Sequence, residues 1–220
     1  ISVANMADVI IGWHNNKPID PATGYKRPTI VNMSWGYGNT NTFEPYDGYY
    51  RGTQWTYDNN NTGVATNLTT SAELQNRTGL PLWNSYSDGN ARKLNTRITS
   101  VDNDVQELID AGIHVCIASG NRNLTIDVSG GPDYDNRYRV YPVEAGAAQP
   151  GGYIYYCRGS SPFSNDAFIV GNVDSATNGN DDLEQRASSS NHGPGVDIYA
   201  PGTRIMSACS NTNEIGGQDY

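Results

Sequence analysis

The chain has 220 residues, of which 17% are charged and 36% are hydrophobic, and glycine (24) and tyrosine (15) are frequent. Charged and hydrophobic fractions below the globular average favour a folded core with long polar loops and argue against a coiled coil. The net charge of −9 argues against a nucleic-acid binder that neutralises phosphates, and no apolar run is long enough to cross a membrane.

A helix is predicted at the start of the chain, over residues 2–16. Apolar side chains at helical spacing predict its buried face: Val3, Met6, Ala7, Ile10 and Trp13. A short apolar strand is predicted at residues 29–34. The polar stretch that follows, about residues 37–99, is too long for a structureless loop in a compact domain. We interpret it as an insertion with local hairpins that Trp55 and Trp83 pin in place.

A second helix and a second strand are predicted after this insertion. Val101, Val105, Leu108 and Ile109 form the predicted buried stripe of the helix, and Gly112 is well placed to end it. Residues 113–119 are almost continuously apolar, as expected of a strand covered on both faces. Another polar stretch spans about residues 122–165, and short strands are predicted beyond it at 167–173, 196–200 and 204–208. Helices that alternate with apolar strands predict an α/β fold with a mostly parallel sheet and helices on its faces.

The spacing of the histidines and cysteines matches no metal site. We interpret the histidines as structural, either packed in an element or placed in a turn: His14, His114 and His192. The cysteines match no zinc pattern and are interpreted as small buried hydrophobes: Cys116, Cys157 and Cys209. A bridge between Cys157 and Cys209 is an open alternative that no pattern supports.

Two strand ends carry residues suited to ligand binding. They are Asn-Met-Ser-Trp-Gly at 32–36 and Ala-Ser-Gly-Asn at 118–121. Ligands of open α/β sheets bind outside the carboxyl ends of the strands. Glycine lets a ligand approach the backbone closely, and an asparagine amide can donate hydrogen bonds towards a developing oxyanion. Each segment alone is a weak signal.

Taken together and in order, five segments resemble motifs of the subtilisin-like serine peptidases, the subtilases. The segments are Val-Asn-Met-Ser-Trp-Gly (31–36), Ala-Gly-Ile-His-Val-Cys-Ile-Ala-Ser-Gly-Asn (111–121), Ile-Val-Gly-Asn-Val-Asp (169–174), Ala-Ser-Ser-Ser-Asn-His-Gly-Pro (187–194) and Val-Asp-Ile-Tyr-Ala-Pro-Gly (196–202). The resemblance implies a subtilisin-like three-layer α/β/α fold. Residues 1–220 would form the central part of one catalytic domain, interrupted by the insertion at about 37–99.

The resemblance also implies roles for individual residues. Asn121 matches the asparagine of the oxyanion hole, which is a catalytic role. The residues that match the substrate-binding strands are Ser34, Trp35, Gly36, Ala118, Ser119 and Gly120. The implied substrate is a polypeptide, and the implied reaction is hydrolysis through an acyl-enzyme. Subtilases bind calcium in variable loops, and we assign neither a calcium site nor any other cofactor to particular residues.

The motifs of the catalytic triad are absent from these 220 residues. A subtilase uses Asp, His and Ser in that order, so we expect the first two before Ile1 and the third after Tyr220. The segment alone is therefore predicted to be inactive. The alternative is a non-catalytic subtilase-like domain of a structural or adhesive protein such as a virion protein, since Tyr-rich surfaces also suit binding. The acidic, polar loops suit a secreted or virion-associated protein, although no residue fixes the compartment.

Overall fold

The computed structural model describes the following residues of the chain: 3–41, 45–57, 68, 70–80, 92–140, 152–174, 184–203 and 205. The helices are α1 (Val3–Asn15), α2 (Ser71–Thr78) and α3 (Thr99–Asp110). Within the described ranges, no helix has the length and apolar character needed to cross a membrane. The strands are β1 (Ile30–Met33), β2 (Gly38–Asn41), β3 (Pro45–Tyr50), β4 (Thr53–Thr56), β5 (Arg92–Asn95), β6 (His114–Ala118), β7 (Arg137–Val140), β8 (Ile154–Tyr155), β9 (Phe168–Asp174), β10 (Gln185–Arg186) and β11 (Ile198–Pro201).

The main sheet is mostly parallel and contains β1, β6, β9 and β11 in that order. Ile30 lies beside His114, and Ala118 lies beside Val170, so the carboxyl ends of the strands meet at one edge. The short strand β10 is antiparallel and pairs with the end of β9. Helices joined to parallel strands confirm the predicted α/β fold. The strand predicted at 204–208 lies outside the described residues, apart from Ile205, which is not in a strand.

One face of the main sheet packs against α1 and α3. On β6, Val115 and Ile117 point to this face and are 1% and 2% exposed, because side chains alternate between the faces of a strand. The opposite face carries Ile30, Phe168 and Ile198, which are 68%, 52% and 56% exposed. None of the described helices covers that face. Helices are therefore confirmed on one face of the sheet and stay a prediction for the other.

Helix α3 follows the sequence pattern closely. Its buried side chains recur at helical spacing: Val101, Val105 and Leu108. The fourth predicted residue, Ile109, is only partly buried against the same core. Gly112 follows the helix with a φ of +85°, and its N–H donates to the carbonyl of Ile109 while the N–H of Ile113 donates to the carbonyl of Leu108. These two bonds satisfy carbonyls at the helix end and turn the chain directly into β6.

The apolar face predicted for α1 is only partly correct. Ala7 is buried, but Met6 and Trp13 are 53% and 61% exposed. The other buried side chain of the helix is His14, whose Nδ1 lies 2.7 Å from Oγ1 of Thr29. Ile10 and Ile11 are partly buried against the same core. The buried face is thus rotated by roughly 50°, about half a residue step, from the predicted one. The sequence could not distinguish the two faces, since apolar residues follow a helical period along both.

The polar insertion contains regular structure and combines with the second polar stretch. Strands β2 and β5 form an antiparallel pair, and β3 and β4 form a hairpin. This hairpin joins β7 and β8 in a four-stranded sheet. The sheet and α2 share a second core: Trp55, Tyr57, Leu68, Leu74, Leu80, Tyr138, Tyr156 and Cys157. Trp55 is 1% exposed, as its predicted anchoring role requires, and Trp83 lies outside the described residues.

The two described cysteines are free thiols. Cys157 is buried in the second core, and burial raises the pKa of its thiol to about 12. It is therefore a neutral, packed thiol at pH 7, which confirms the interpretation for this residue. Cys116 is only half-buried, and Cys209 lies outside the described residues.

The surroundings of His14 make the stability of the fold depend on pH. Burial, with the nearby charges of Lys17 and Lys26, lowers the pKa of the imidazole below its ordinary value. The unfolded chain therefore binds a proton at this residue more readily than the folded chain does. The contribution of His14 to the free energy of unfolding is fully present above the pKa of the unfolded chain, about 6.5. It decreases as the pH falls from that value towards the lower pKa of the folded protein.

We expect the urea midpoint of the protein to be lower at pH 5.5 than at pH 7.5. In His14→Asn, whose side chain does not titrate, the loss should be smaller. Some loss should persist in that variant, because the pKa of His192 is also lowered, by burial and by Arg186. Equal losses in the two proteins would contradict the role given to His14.

Candidate functional site

A cavity of about 310 Å³ lies at the carboxyl edge of the main sheet. Its walls come from β1, β6, β9 and β11 and from the turns that follow them. Five of the residues predicted from the sequence line it: Ser34, Ala118, Ser119, Gly120 and Asn121. Both the volume and the position at the strand ends are typical of ligand sites in α/β folds.

Asn121 lies on a turn that follows β6. The N–H of Ser119 donates to the carbonyl of Val170 at 2.8 Å, which extends the pairing of β6 with β9 by one residue. Gly120 then adopts a φ of +104°, a conformation that favours glycine. The turn leaves Asn121 exposed, and its side chain has no hydrogen bond to the part of the chain that the structure describes. Both N–H groups of this amide can therefore donate to a ligand in the cavity.

A buried side chain, that of Asn191, holds this turn from behind. Its Nδ2 donates to the carbonyl of Ser119 at 2.7 Å. Its Oδ1 accepts from the N–H of Arg122 at 3.1 Å and from the N–H of Leu124 at 2.9 Å. The backbone N–H of Asn191 donates to the carbonyl of Gly120 at 2.9 Å. One residue from a distant turn therefore fixes the backbone on both sides of the exposed amide.

The segment after β1 lies only partly in the cavity. Ser34 lines it and donates its hydroxyl to Oδ1 of Asn32 at 2.9 Å. Trp35 and Gly36 are not among the residues that line the cavity. Trp35 is 42% exposed, and its ring packs edge-on against Tyr37, with 5.8 Å between the ring centroids. Substrate binding by Trp35 and Gly36 therefore stays a prediction.

Several lining residues were not identified from the sequence. They include Cys116, Val170, Asn172, Ser190 and Pro201, whereas Asn32 belongs to the strand end predicted at 32–36. Asn172 donates its Nδ2 to Oγ1 of Thr203 at 3.0 Å, while its Oδ1 is buried without a partner among the described residues. The register between β6 and β9 would have identified the lining residues of β9, because it places Val170 beside Ala118. That register cannot be predicted from a single sequence.

The described residues contain no group of three or more His, Cys, Asp and Glu side chains that could hold a metal ion. The carboxylate of Asp127 accepts from the backbone N–H groups of Val128 and Asp133 at 2.8 and 2.7 Å. Asp133 in turn forms an ion pair with Arg51, which lowers the pKa of its carboxyl. These backbone and ion-pair contacts engage the carboxylates of this loop, and the calcium that the family resemblance allows has no ligands assigned to it.

None of the three histidines lines the cavity. His14 is buried on α1 and contacts Thr29. His192 lies in a turn whose backbone pairs with Thr125, and burial and Arg186 lower its pKa. His114 was expected to be packed but is exposed on the uncovered face of β6, because its side chain alternates with that of the buried Val115.

Comparison with protein-family models gives a match to the subtilase family, peptidase S8, over residues 12–220. The match covers nearly the whole chain and includes all five segments that carry the resemblance. Comparisons with curated proteins and with solved structures gave no significant match. The family assignment therefore rests on the family model and on the motifs in the sequence.

Gly120 and Gly130 allow a matched test of the contact between the turn and Asn191. Both have positive φ values, +104° and +86°, so alanine strains the backbone at both positions. A Cβ at Gly120 would lie 2.7 Å from Nδ2 of Asn191, whereas a Cβ at Gly130 would meet nothing within 4 Å.

We expect Gly120→Ala to lower the free energy of unfolding by about 1–2 kcal/mol more than Gly130→Ala. The added methyl group must displace a buried amide that makes several hydrogen bonds. Urea denaturation of the two variants measures the difference. Equal destabilisation would mean that Asn191 does not restrain the turn.

Proposed function

Because the chain belongs to the subtilase family, a family of serine peptidases, we propose that it is the central part of a serine endopeptidase. In this proposal, the amide of Asn121 stabilises the oxyanion. The substrate chain binds along Ser34, Trp35 and Gly36 on one side and along residues 118–120 on the other. The Asp, His and Ser of the triad lie outside these 220 residues.

The observation that supports this proposal best is that the side chain of Asn121 is exposed and free to bind a ligand. It is exposed at the carboxyl edge of a parallel sheet, it has no hydrogen bond within the described residues, and it borders a cavity. A turn residue with a purely local role would bond to its own backbone. Ser34 lines the same cavity from the neighbouring strand end, so a peptide bound there would contact both segments.

The proposed reaction is acyl transfer in two steps. The Oγ of the serine attacks the carbonyl carbon of the peptide bond, its proton passes to the histidine, and the carbonyl oxygen becomes an oxyanion. The Nδ2–H of Asn121 donates to this oxygen most strongly when it carries the charge. The intermediate then expels the amine, which takes the proton from the histidine, and water hydrolyses the acyl-enzyme by the same route.

A second candidate function is supported by the four-stranded sheet. The rings of Tyr49, Tyr153 and Tyr155 surround the guanidinium of Arg137 at distances of 4.5, 4.9 and 5.9 Å. Tyrosine offers contact area at low entropic cost, as in binding surfaces. This supports a non-catalytic subtilase-like domain of a structural or adhesive protein. The sequence of the full-length protein discriminates between the two, since only the enzyme requires a serine motif after residue 220 and a histidine motif before residue 1.

The substitution Asn121→Leu tests the catalytic role in the full-length protein. It keeps the approximate volume and removes the donor. We expect kcat to fall by about 10²–10³, a magnitude taken over from the loss of such a donor in a subtilisin. KM should change little, because the bond strengthens mainly in the transition state.

Asn165→Leu provides the control, since Asn165 is exposed and is not among the residues that line the cavity. It should leave both kinetic constants unchanged. If Asn121→Leu keeps kcat within a factor of about three, the oxyanion role is wrong and the non-catalytic alternative is favoured.

The 220 residues alone should not hydrolyse a peptide, because the sequence contains no triad motif. Incubation with a generic fluorogenic peptide is expected to match the buffer blank. Turnover that a serine-directed phosphonate inhibits would contradict the assignment of the triad to positions outside this chain.

A further inference from the structure

We propose that Asn191 is a positioning residue for the oxyanion hole. It would act by fixing the backbone of the turn over residues 119–124, and with it the position from which the amide of Asn121 reaches the oxyanion, before the substrate binds. This inference rests on the proposed function and adds a residue to it. In the sequence, Asn191 lies in the turn motif at 187–194, and the family resemblance implies no role for it.

The hydrogen bonds of Asn191 lie on both sides of Asn121. On the amino-terminal side, its Nδ2 donates to the carbonyl of Ser119 at 2.7 Å and its backbone N–H donates to the carbonyl of Gly120 at 2.9 Å. On the carboxyl-terminal side, its Oδ1 accepts from the N–H of Arg122 at 3.1 Å. The two peptide units that flank the proposed catalytic amide are therefore both bonded to one residue.

Asn191 is itself held rigidly. Its side chain is 0% exposed, so its donor and acceptor groups have no solvent to replace a lost partner. The neighbouring Ser190 accepts from the N–H of Asn172 at 2.9 Å and donates to the carbonyl of Asn191 at 3.0 Å. Asn172 belongs to β9, so the support for the turn reaches back into the main sheet.

Gly120 and Asn191 are in close contact, and the contact requires glycine at position 120. The φ of +104° at Gly120 brings the backbone so close that a Cβ would lie 2.7 Å from Nδ2 of Asn191. This close approach is what allows a short amide side chain to bridge the carbonyl of Ser119 and the N–H of Leu124. Two features of the site that look independent in the sequence thus form one contact.

The need for such a support follows from the exposure of Asn121. Its side chain makes no hydrogen bond to the described residues, so its position depends on the backbone that carries it. A functional group has to be held to within about 0.5 Å by packed and hydrogen-bonded neighbours. A displacement of about 1 Å costs about 10²-fold in rate. Among the described residues, Asn191 is the side chain that bonds to the backbone on both sides of Asn121.

The variant Asn191→Asp tests this role in the full-length protein. It has the same shape and keeps an oxygen for the N–H groups of Arg122 and Leu124, but it places a carboxylate oxygen against the carbonyl of Ser119. We expect kcat to fall by about 10- to 100-fold and KM to stay within about threefold of the original value. Asn191→Ser, which shortens the side chain, serves as the second variant if Asn191→Asp does not fold. Active-site titration gives the concentration of folded, active enzyme, so that each rate can be expressed per active site.

Ser189→Ala is the matched control. Ser189 belongs to the same turn, is exposed and contacts the loop through its backbone carbonyl, which accepts from the N–H of Asn123 at 2.8 Å. Alanine keeps that bond, so kcat should not change. If Ser189→Ala lowers kcat as much as Asn191→Asp does, the side chain of Asn191 has no special role and the proposal is wrong.

A peptidyl trifluoromethyl ketone separates positioning from a general structural effect. The serine Oγ adds to the ketone carbon, its proton passes to the histidine, and the ketone oxygen carries the negative charge. The affinity of Asn191→Asp for this compound should fall by the same factor as kcat/KM, since both report the oxyanion. An unchanged affinity alongside a lowered kcat would overturn the proposal.

The double variant Asn121→Leu with Asn191→Asp gives the decisive result. If Asn191 acts only through Asn121, the double variant should be no slower than Asn121→Leu alone. Losses that multiply would show an independent role and overturn the proposal. If Asn121→Leu slows the enzyme and neither variant of Asn191 does, only the positioning role is wrong. If Asn121→Leu itself has no effect, the proposed function is wrong.

Discussion

The candidate site depends on the parallel pairing of β6 with β1 on one side and with β9 on the other. This pairing sets the register in which Met33 lies beside Ile117 and Ala118 lies beside Val170. The strands therefore end together, and the residues that follow them share one edge. A shift of one residue in β6 would turn Ala118 and Cys116 into the helix-covered core and carry Val115 and Ile117 to the open face. The burial of these two apolar side chains thus fixes the geometry of the cavity.

Beyond the strand ends, the described part of the site is built from neutral amide groups of the backbone and of two asparagine side chains, and not from charged side chains. The turn at 119–124 is held by amide hydrogen bonds, and none of the three histidines lines the cavity. A buried neutral amide is well suited to such a support, because it offers a donor and an acceptor without the desolvation cost of a charge. Its drawback is that each of its groups needs a partner. Asn191 meets that condition through Ser119, Arg122 and Leu124, which makes the turn rigid and sensitive to substitution.

Local patterns in the sequence predicted the parallel strands of the main sheet and the two strand ends that border the cavity. The continuous apolar run of β6, the stripe of α3 and the glycine that ends it all act over a few residues, and the structure confirms each. Contacts between distant segments could not be predicted. The buried face of α1 depends on what packs against it, and the role of Asn191 depends on a turn 70 residues away that only the fold brings close. The four-stranded sheet combines two stretches that look like separate loops, because its register is set by pairing across the chain.

The polar stretch that we interpret as an insertion begins and ends at one place, because both of its ends are bonded to Ser161. The N–H of Tyr37, where the insertion begins, donates to the carbonyl of Ser161 at 2.8 Å, and the N–H of Ser161 donates to the carbonyl of Thr96 at 2.9 Å, where the insertion returns. The hydroxyl of Ser161 also accepts from the N–H of Ile98 at 2.6 Å, directly before α3. The chain therefore leaves the main sheet and returns to it at neighbouring positions that are hydrogen-bonded through Ser161. Extra residues in a loop whose ends are held together add little to the entropic cost of closing it. The junction lies next to Gly36, where a Cβ would be 3.5 Å from the carbonyl of Ser161, so the inserted sheet is attached at the predicted substrate-binding segment and not at a remote surface.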